Sequence, residues 1–165
     1  MAIVDVLLPE FDREMTTTRK VLERVPEDRF AWKPHAKSFS LGALAAHVAA
    51  LPTWGKETLD KSEVDIAGSQ PPEAPPSKAE LLATFDKHVA ATRSALVGRS
   101  DAELLATWTL KRGGKTIFSM PKTIVLRSFF LSHLIHHRGQ LSVYLRLLDV
   151  PVPSIYGPSA DEPAF

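Results

Sequence analysis

Four long stretches of this chain place apolar residues at helical spacing, and that restricts its fold more than any other feature. The first, about residues 2–24, lines up Val4, Leu7, Leu8, Phe11, Met15, Thr18 and Leu22, and Pro26 ends it. Ser40 reads as the N-cap of a second, about 41–60, with Leu41, Leu44, Val48, Leu51 and Trp54 on one stripe. Pro52 lies inside it and predicts a kink. Ser77-Lys-Ala-Glu80 is a capping-box pattern that opens a third helix to about residue 97, with Leu81, Leu82, Phe85, Val89, Thr92 and Leu96 in line. Ser119 and Pro121 signal the last helix, about 121–148, which Val150-Pro-Val-Pro153 stops. Helices with one apolar stripe must bury it against each other. The expectation is therefore an all-α, four-helix bundle forming a single domain over 1–165.

The segments between these helices are less patterned. A loop carries Trp32-Lys-Pro-His35, and residues 61–76 form a polar connector ending in Gln-Pro-Pro-Glu-Ala-Pro-Pro. A second capping box, Ser100-Asp-Ala-Glu103, starts a short helical turn. Thr107–Lys111 and Lys115–Phe118 flank Gly113-Gly114, the pattern of a two-stranded hairpin before the last helix. The tail, Ser154 to Pro163, reads as ordered coil packed on the domain.

Bulk properties exclude several functions. The net charge is +1 and no run of Lys or Arg occurs, so no electrostatic footprint for nucleic acid is present. No apolar run reaches membrane-spanning length, and the N-terminus meets Asp5 early and has no basic region, unlike a secretory signal. A cytoplasmic protein is expected. There are no cysteines, so disulfides, thiolate ligands and a cysteine nucleophile are all excluded. Any transition-metal site must use His and carboxylate.

The histidines then become the chemistry of interest. In His133-Leu-Ile-His136-His137-Arg-Gly-Gln140, His133 and His137 are four residues apart on the last helix. Side chains at that spacing share a face, roughly 6 Å apart. Leu126, Phe130, Leu141 and Tyr144 fall on or beside the same face, whereas His136 is turned about 100° from His137. Such a pair can simply be hydrogen-bonded at the edge of a core, or it can ligate a metal. His47 sits in Leu44-Ala-Ala-His47-Val-Ala-Ala-Leu51, among small and apolar residues where an unpartnered imidazole carries a desolvation penalty. It either bonds a carbonyl or faces solvent, or it completes a three-histidine site from a facing helix. Three neutral imidazoles with open positions make a catalytic type of divalent site. His35 and His88 read as loop or surface residues, and Trp54 as core. Arg138 and Gln140 read as partners for tail carboxylates such as Asp161 or Glu162, with substrate anchoring as the weaker alternative.

Trp32-Lys-Pro, Ser38-Phe-Ser-Leu-Gly-Ala-Leu-Ala-Ala-His47, the His133–Arg146 run and Val152-Pro-Ser-Ile-Tyr-Gly-Pro-Ser-Ala-Asp161-Glu together resemble the DinB-like (DinB/YfiT-like) metalloenzyme superfamily, in matching order and over nearly the full length. The resemblance implies an up-down-down-up bundle, a homodimer, and one divalent transition metal, zinc or nickel, on His47, His133 and His137. It also implies metal-supported thiol chemistry, since family members with assigned activity include thiol transferases. Nothing resembles the DNA polymerase that shares the family's name. The resulting expectation is a metal-dependent enzyme that activates a low-molecular-weight thiol, or water, for transfer to a small electrophile. The alternatives are a metal-dependent hydrolase and a non-enzymatic, stress-related scaffold dimer with a structural metal.

Overall fold

The computed structural model describes residues 1–163; the last two residues of the expected 1–165 unit lie outside them. Helices dominate: α1 (Ile3–Glu23), α2 (Leu41–Ala50), α3 (Thr53–Asp60), α4 (Lys78–Leu96), α5 (Asp101–Leu105), α6 (Lys122–Ile124) and α7 (Ser132–Leu147). A π-helical stretch, Val125–Leu131, joins α6 to α7. The α1 helix packs on α4 and α7, and α2 packs on the same two helices. Their apolar stripes meet in one core that includes Leu7, Phe11, Leu44, Val48, Phe85, Leu134 and Leu141.

Caps behave as their chemistry requires. Ser77 Oγ accepts from the Glu80 N–H at 3.1 Å. At Ser100 both halves of the box form. The hydroxyl accepts from the Glu103 N–H at 3.3 Å, and the Glu103 carboxylate accepts from the Ser100 N–H at 2.9 Å. Each bond satisfies a backbone group that the first helical turn leaves free.

Three features differ from the expectation. The 41–60 segment is two helices, not one kinked helix. Leu51 and Pro52 form the turn between them, and Pro52, which lacks an N–H, immediately precedes α3. The fold is also not purely helical. β2 (Thr107–Arg112) and β3 (Lys115–Pro121) form the expected hairpin, with Gly113 and Gly114 both at positive φ (58° and 76°), as a tight two-residue turn demands. A third strand, β1 (Glu63–Asp65), comes from the 61–76 connector and pairs parallel with Thr109–Lys111. Asp65 ties it down: its carboxylate accepts from the N–H groups of Gly114 (2.7 Å), Ala67 (2.8 Å) and Gly113 (2.9 Å), which hold its pKa below the usual carboxylate range.

The third difference lies in the last helix. It starts at Lys122, because β3 runs through Pro121, and it changes register within the π stretch. Its buried line runs Leu145, Leu141, Arg138, Leu134, Phe130 and Leu126, and within the π stretch it widens to include Leu131 and Val125. The π-helical spacing is five. The Ser132 hydroxyl donates to the Arg127 carbonyl, five residues back, at 2.9 Å and satisfies one group there.

Arg138 is 1% exposed and forms an ion pair at 2.8 Å with Glu14, which is 5% exposed on α1. It also donates to the Glu14 carbonyl and to the Thr18 hydroxyl, both at 3.2 Å. This corrects the expected tail partner: Asp161 pairs with Arg146, and Glu162 accepts from Arg24 at 2.6 Å. The tail still reaches Arg138, but through Tyr156. Its ring centroid lies 5.1 Å from the guanidinium carbon, and its hydroxyl donates to Glu14 at 2.9 Å.

Breaking a buried pair from one side strands a charge and typically costs about 3–5 kcal/mol. Arg138→Met is therefore expected to lower unfolding stability by about that amount in urea titrations, and adding Glu14→Leu to recover most of it. A single variant as stable as the parent would show that the pair contributes nothing.

Candidate metal centre

Two helices supply the site. Between Ser40 and Leu51 the sequence offers mostly alanine, glycine and aliphatic residues, so α2 can approach α7 closely with His47 projecting at their contact. On α7 the buried line through Leu134, Arg138 and Leu141 leaves His133 and His137 half-buried beside it, rather than within it. The three imidazoles converge. Ring centroids are 5.1 Å apart for His47 and His133, 4.5 Å for His47 and His137, and 4.7 Å for His133 and His137. One nitrogen from each lies within 4.8 Å of the other two, and Nε2 of His47 is 3.3 Å from Nε2 of His133.

The His47–His133 separation fits a metal. Nitrogens bound at about 2.0–2.1 Å to a tetrahedral zinc are about 3.3–3.4 Å apart. The protonation state fits as well. Burial, followed by the neighbouring His137 and His133, pushes the His47 pKa down to about 4. Burial also lowers His133 and His137, although the Gln140 bond opposes the shift at His137. All three are thus neutral near pH 7, the form in which imidazole ligates a metal. The set is nitrogen-only and has no carboxylate member. It is therefore suited to a borderline transition ion rather than to calcium or magnesium.

Gln140 is a residue whose role the sequence reading missed. Its amide oxygen faces Nδ1 of His137 at 2.7 Å, so Nδ1 carries the proton and Nε2 keeps its lone pair. The Gln140 amide nitrogen donates in turn to Nε2 of His136 at 3.1 Å. His136 therefore points away from the trio and steadies the residue that orients His137. The i,i+3 spacing of His137 and Gln140 on a helix was the available signal. Aromatic rings border the group on two sides: Phe39 is 6.1 Å from His47, and Phe129 is 6.2 Å from His133. Trp54 packs edge-on against Phe129 at 5.1 Å, the expected core role. His88 faces the Ala49 carbonyl at 3.3 Å and His35 accepts from the Lys37 N–H at 3.2 Å, both outside the group.

A mostly helical fold that presents three converging neutral histidines between helices defines a class of protein able to hold one metal ion. The sequence then specifies the family: the model of the DinB family matches residues 2–164, and the chain belongs to that family. It is 27% identical over 163 residues to the YrdA protein of Bacillus subtilis, covering 96% of this chain and 91% of that one. The crystal structure of a DinB-like protein from Bacillus cereus, 26% identical, matches with a TM-score of 0.70 over 90% of this chain and 95% of that one. That of the DinB-like YjoA protein of Bacillus subtilis, 18% identical, matches with a TM-score of 0.67 over 86% and 90% and bears on the fold alone. Among the described residues, no helix is long and apolar enough to cross a membrane.

Two outcomes are expected. An unfolded chain takes up a proton on His47 near the ordinary pKa of about 6.5, whereas the folded protein resists until about 4. The stability of metal-free protein should therefore fall as pH drops from about 6.5 towards 4, and His47→Gln should flatten that slope in thermal melts. An unchanged slope would place the proton uptake elsewhere. Gln140→Ala frees the His137 ring and its tautomer, and loss of such an outer partner weakens metal binding by about 10–100-fold. Competition titration against a chromogenic chelator reads this directly.

Proposed function

We propose that this protein is a divalent-metal-dependent enzyme that activates a small thiol, with water as the runner-up, for transfer to an electrophilic small molecule. The observation that carries the proposal is the trio of neutral imidazoles from His47, His133 and His137, which are half-buried instead of sealed in the core and of which His137 lines a pocket. Zinc or nickel suits this donor set, and when bound would lower the pKa of a thiol or water occupying an open position. The chain's own residues supply the rest. Gln140 fixes the His137 tautomer, and Phe39 and Phe129 limit water around the rings. Membership of the DinB family favours thiol transfer over hydrolysis. A cytoplasmic homodimer is part of the same reading.

The test combines composition and activity. Purified protein should carry about one metal per chain, a stoichiometry that His47→Ala, His133→Ala and His137→Ala each abolish. Conjugation of 2-mercaptoethanol to an alkylating chromophore should stop with chelator and return when zinc or nickel is restored. Full occupancy in all three variants would remove the ligand set. Conjugation indifferent to chelator would remove the mechanism and leave the scaffold reading, in which stripping a structural metal lowers the melting temperature.

A further inference from the structure

A pocket of about 220 Å³ opens beside His137, lined also by Lys37, Ser38, Phe39, Gln140 and Tyr144. Water occupies about 30 Å³ per molecule in the liquid, so the space suits a small organic molecule rather than a macromolecule. Two of its walls are aromatic, and their positions are set from outside. Tyr144 donates to the Phe39 carbonyl at 3.3 Å, and Trp32 packs edge-on against the Tyr144 ring at 5.6 Å. His137 and its bonded Gln140 also line it. Lys37 is the one lysine, arginine, aspartate or glutamate among these lining residues, so its ammonium is the permanent side-chain charge of the pocket. No carboxylate lines the pocket, and Lys37 has no ion-pair partner among the described residues.

A small aromatic-walled pocket that ends on a metal-competent imidazole and carries one unmatched positive charge selects for a ligand with complementary charge. We infer that the small molecule activated at the histidine trio carries a carboxylate, which Lys37 pairs with while the molecule's reactive end lies towards His137. Lys37 is thus a specificity-determining residue. This inference rests on the thiol reading above but adds the charge of the thiol and the residue that reads it. The Lys37 ammonium is solvent-exposed, so the pairing is of the surface kind, worth a few-fold in affinity and weakened by salt.

Calorimetric titration of zinc-loaded protein with 3-mercaptopropionate and 2-mercaptoethanol separates charge from thiol. The two are close in size and differ in the carboxylate. The parent is expected to bind the charged thiol about two- to fivefold more tightly at low salt, and the preference to shrink at high salt. Lys37→Met should erase the preference, Lys37→Glu reverse it, and Lys37→Arg keep it, with 2-mercaptoethanol affinity constant throughout. Equal binding of the two thiols by the parent, or a preference that survives Lys37→Met, would overturn the role of Lys37 while leaving thiol activation intact. Failure of both thiols to bind would overturn both readings. Chelator-sensitive conjugation of 2-mercaptoethanol with no charge preference removes only this one.

Discussion

A guanidinium shut into the protein interior fixes how the last helix is rotated, and the site follows from that rotation. Arg138 can be buried only where Glu14 and Thr18 of α1 meet it, because an unpaired charge there would be costly to desolvate. Once Arg138 faces α1, the helical turn of about 100° per residue leaves no freedom for its neighbours. His137 and His133 must emerge along the flank towards α2, half-buried and not enclosed. The tail adds to this constraint, since Tyr156 bonds the same Glu14 and lies against the same guanidinium. A pair that contributes little net stability can still specify one rotation against others.

The histidine trio is the opposite kind of polar cluster. Its members lower one another's basicity, and no carboxylate joins the group to compensate a proton. Within the protein, Nε2 of His47 and Nε2 of His133 have each other at 3.3 Å, and no arrangement of protons on three imidazoles satisfies three mutually facing lone pairs as well as a cation does. An acid–base centre would have one imidazole oriented by a carboxylate, as in nucleophile–base–acid triads. Here the orienting group on His137 is a neutral amide, which fixes the tautomer without raising the proton affinity as an anion would.

What the sequence made legible was local. The i,i+4 histidine pair, the histidine in an alanine-rich helix, the Ser100 box and the Gly113-Gly114 turn each depend on residues within one or two turns of chain, and each appears in the structure. What it hid was remote or cooperative. Glu14, the partner of Arg138, lies 124 residues away and sits beside an apolar stripe that gave no reason to prefer it over Asp161 or Glu162. β1 has three residues, too few for any periodicity, and exists because Asp65 can reach the backbone of a turn 48 and 49 residues later. The π stretch was hidden differently. One extra residue per turn leaves no compositional trace.

That extra residue also decides what borders the site. Within the π stretch Val125, Leu126, Phe130 and Leu131 are all buried. Phe129 lies beside them, half-buried, and meets His133, Trp54, Trp108 and Phe118 at centroid distances of 5.1–6.3 Å. Through this ring the smaller core beneath the sheet, built on Trp108, Leu110 and Val125, touches the histidine trio. The hairpin and the α2–α7 contact are therefore not separate modules. A one-residue irregularity in the last helix joins them, and it lets a single continuous rod support the sheet at one end and aim two imidazoles at the other. Irregular turns of this kind recur at functional sites for that reason: they change which residues face a site without interrupting the element that holds it.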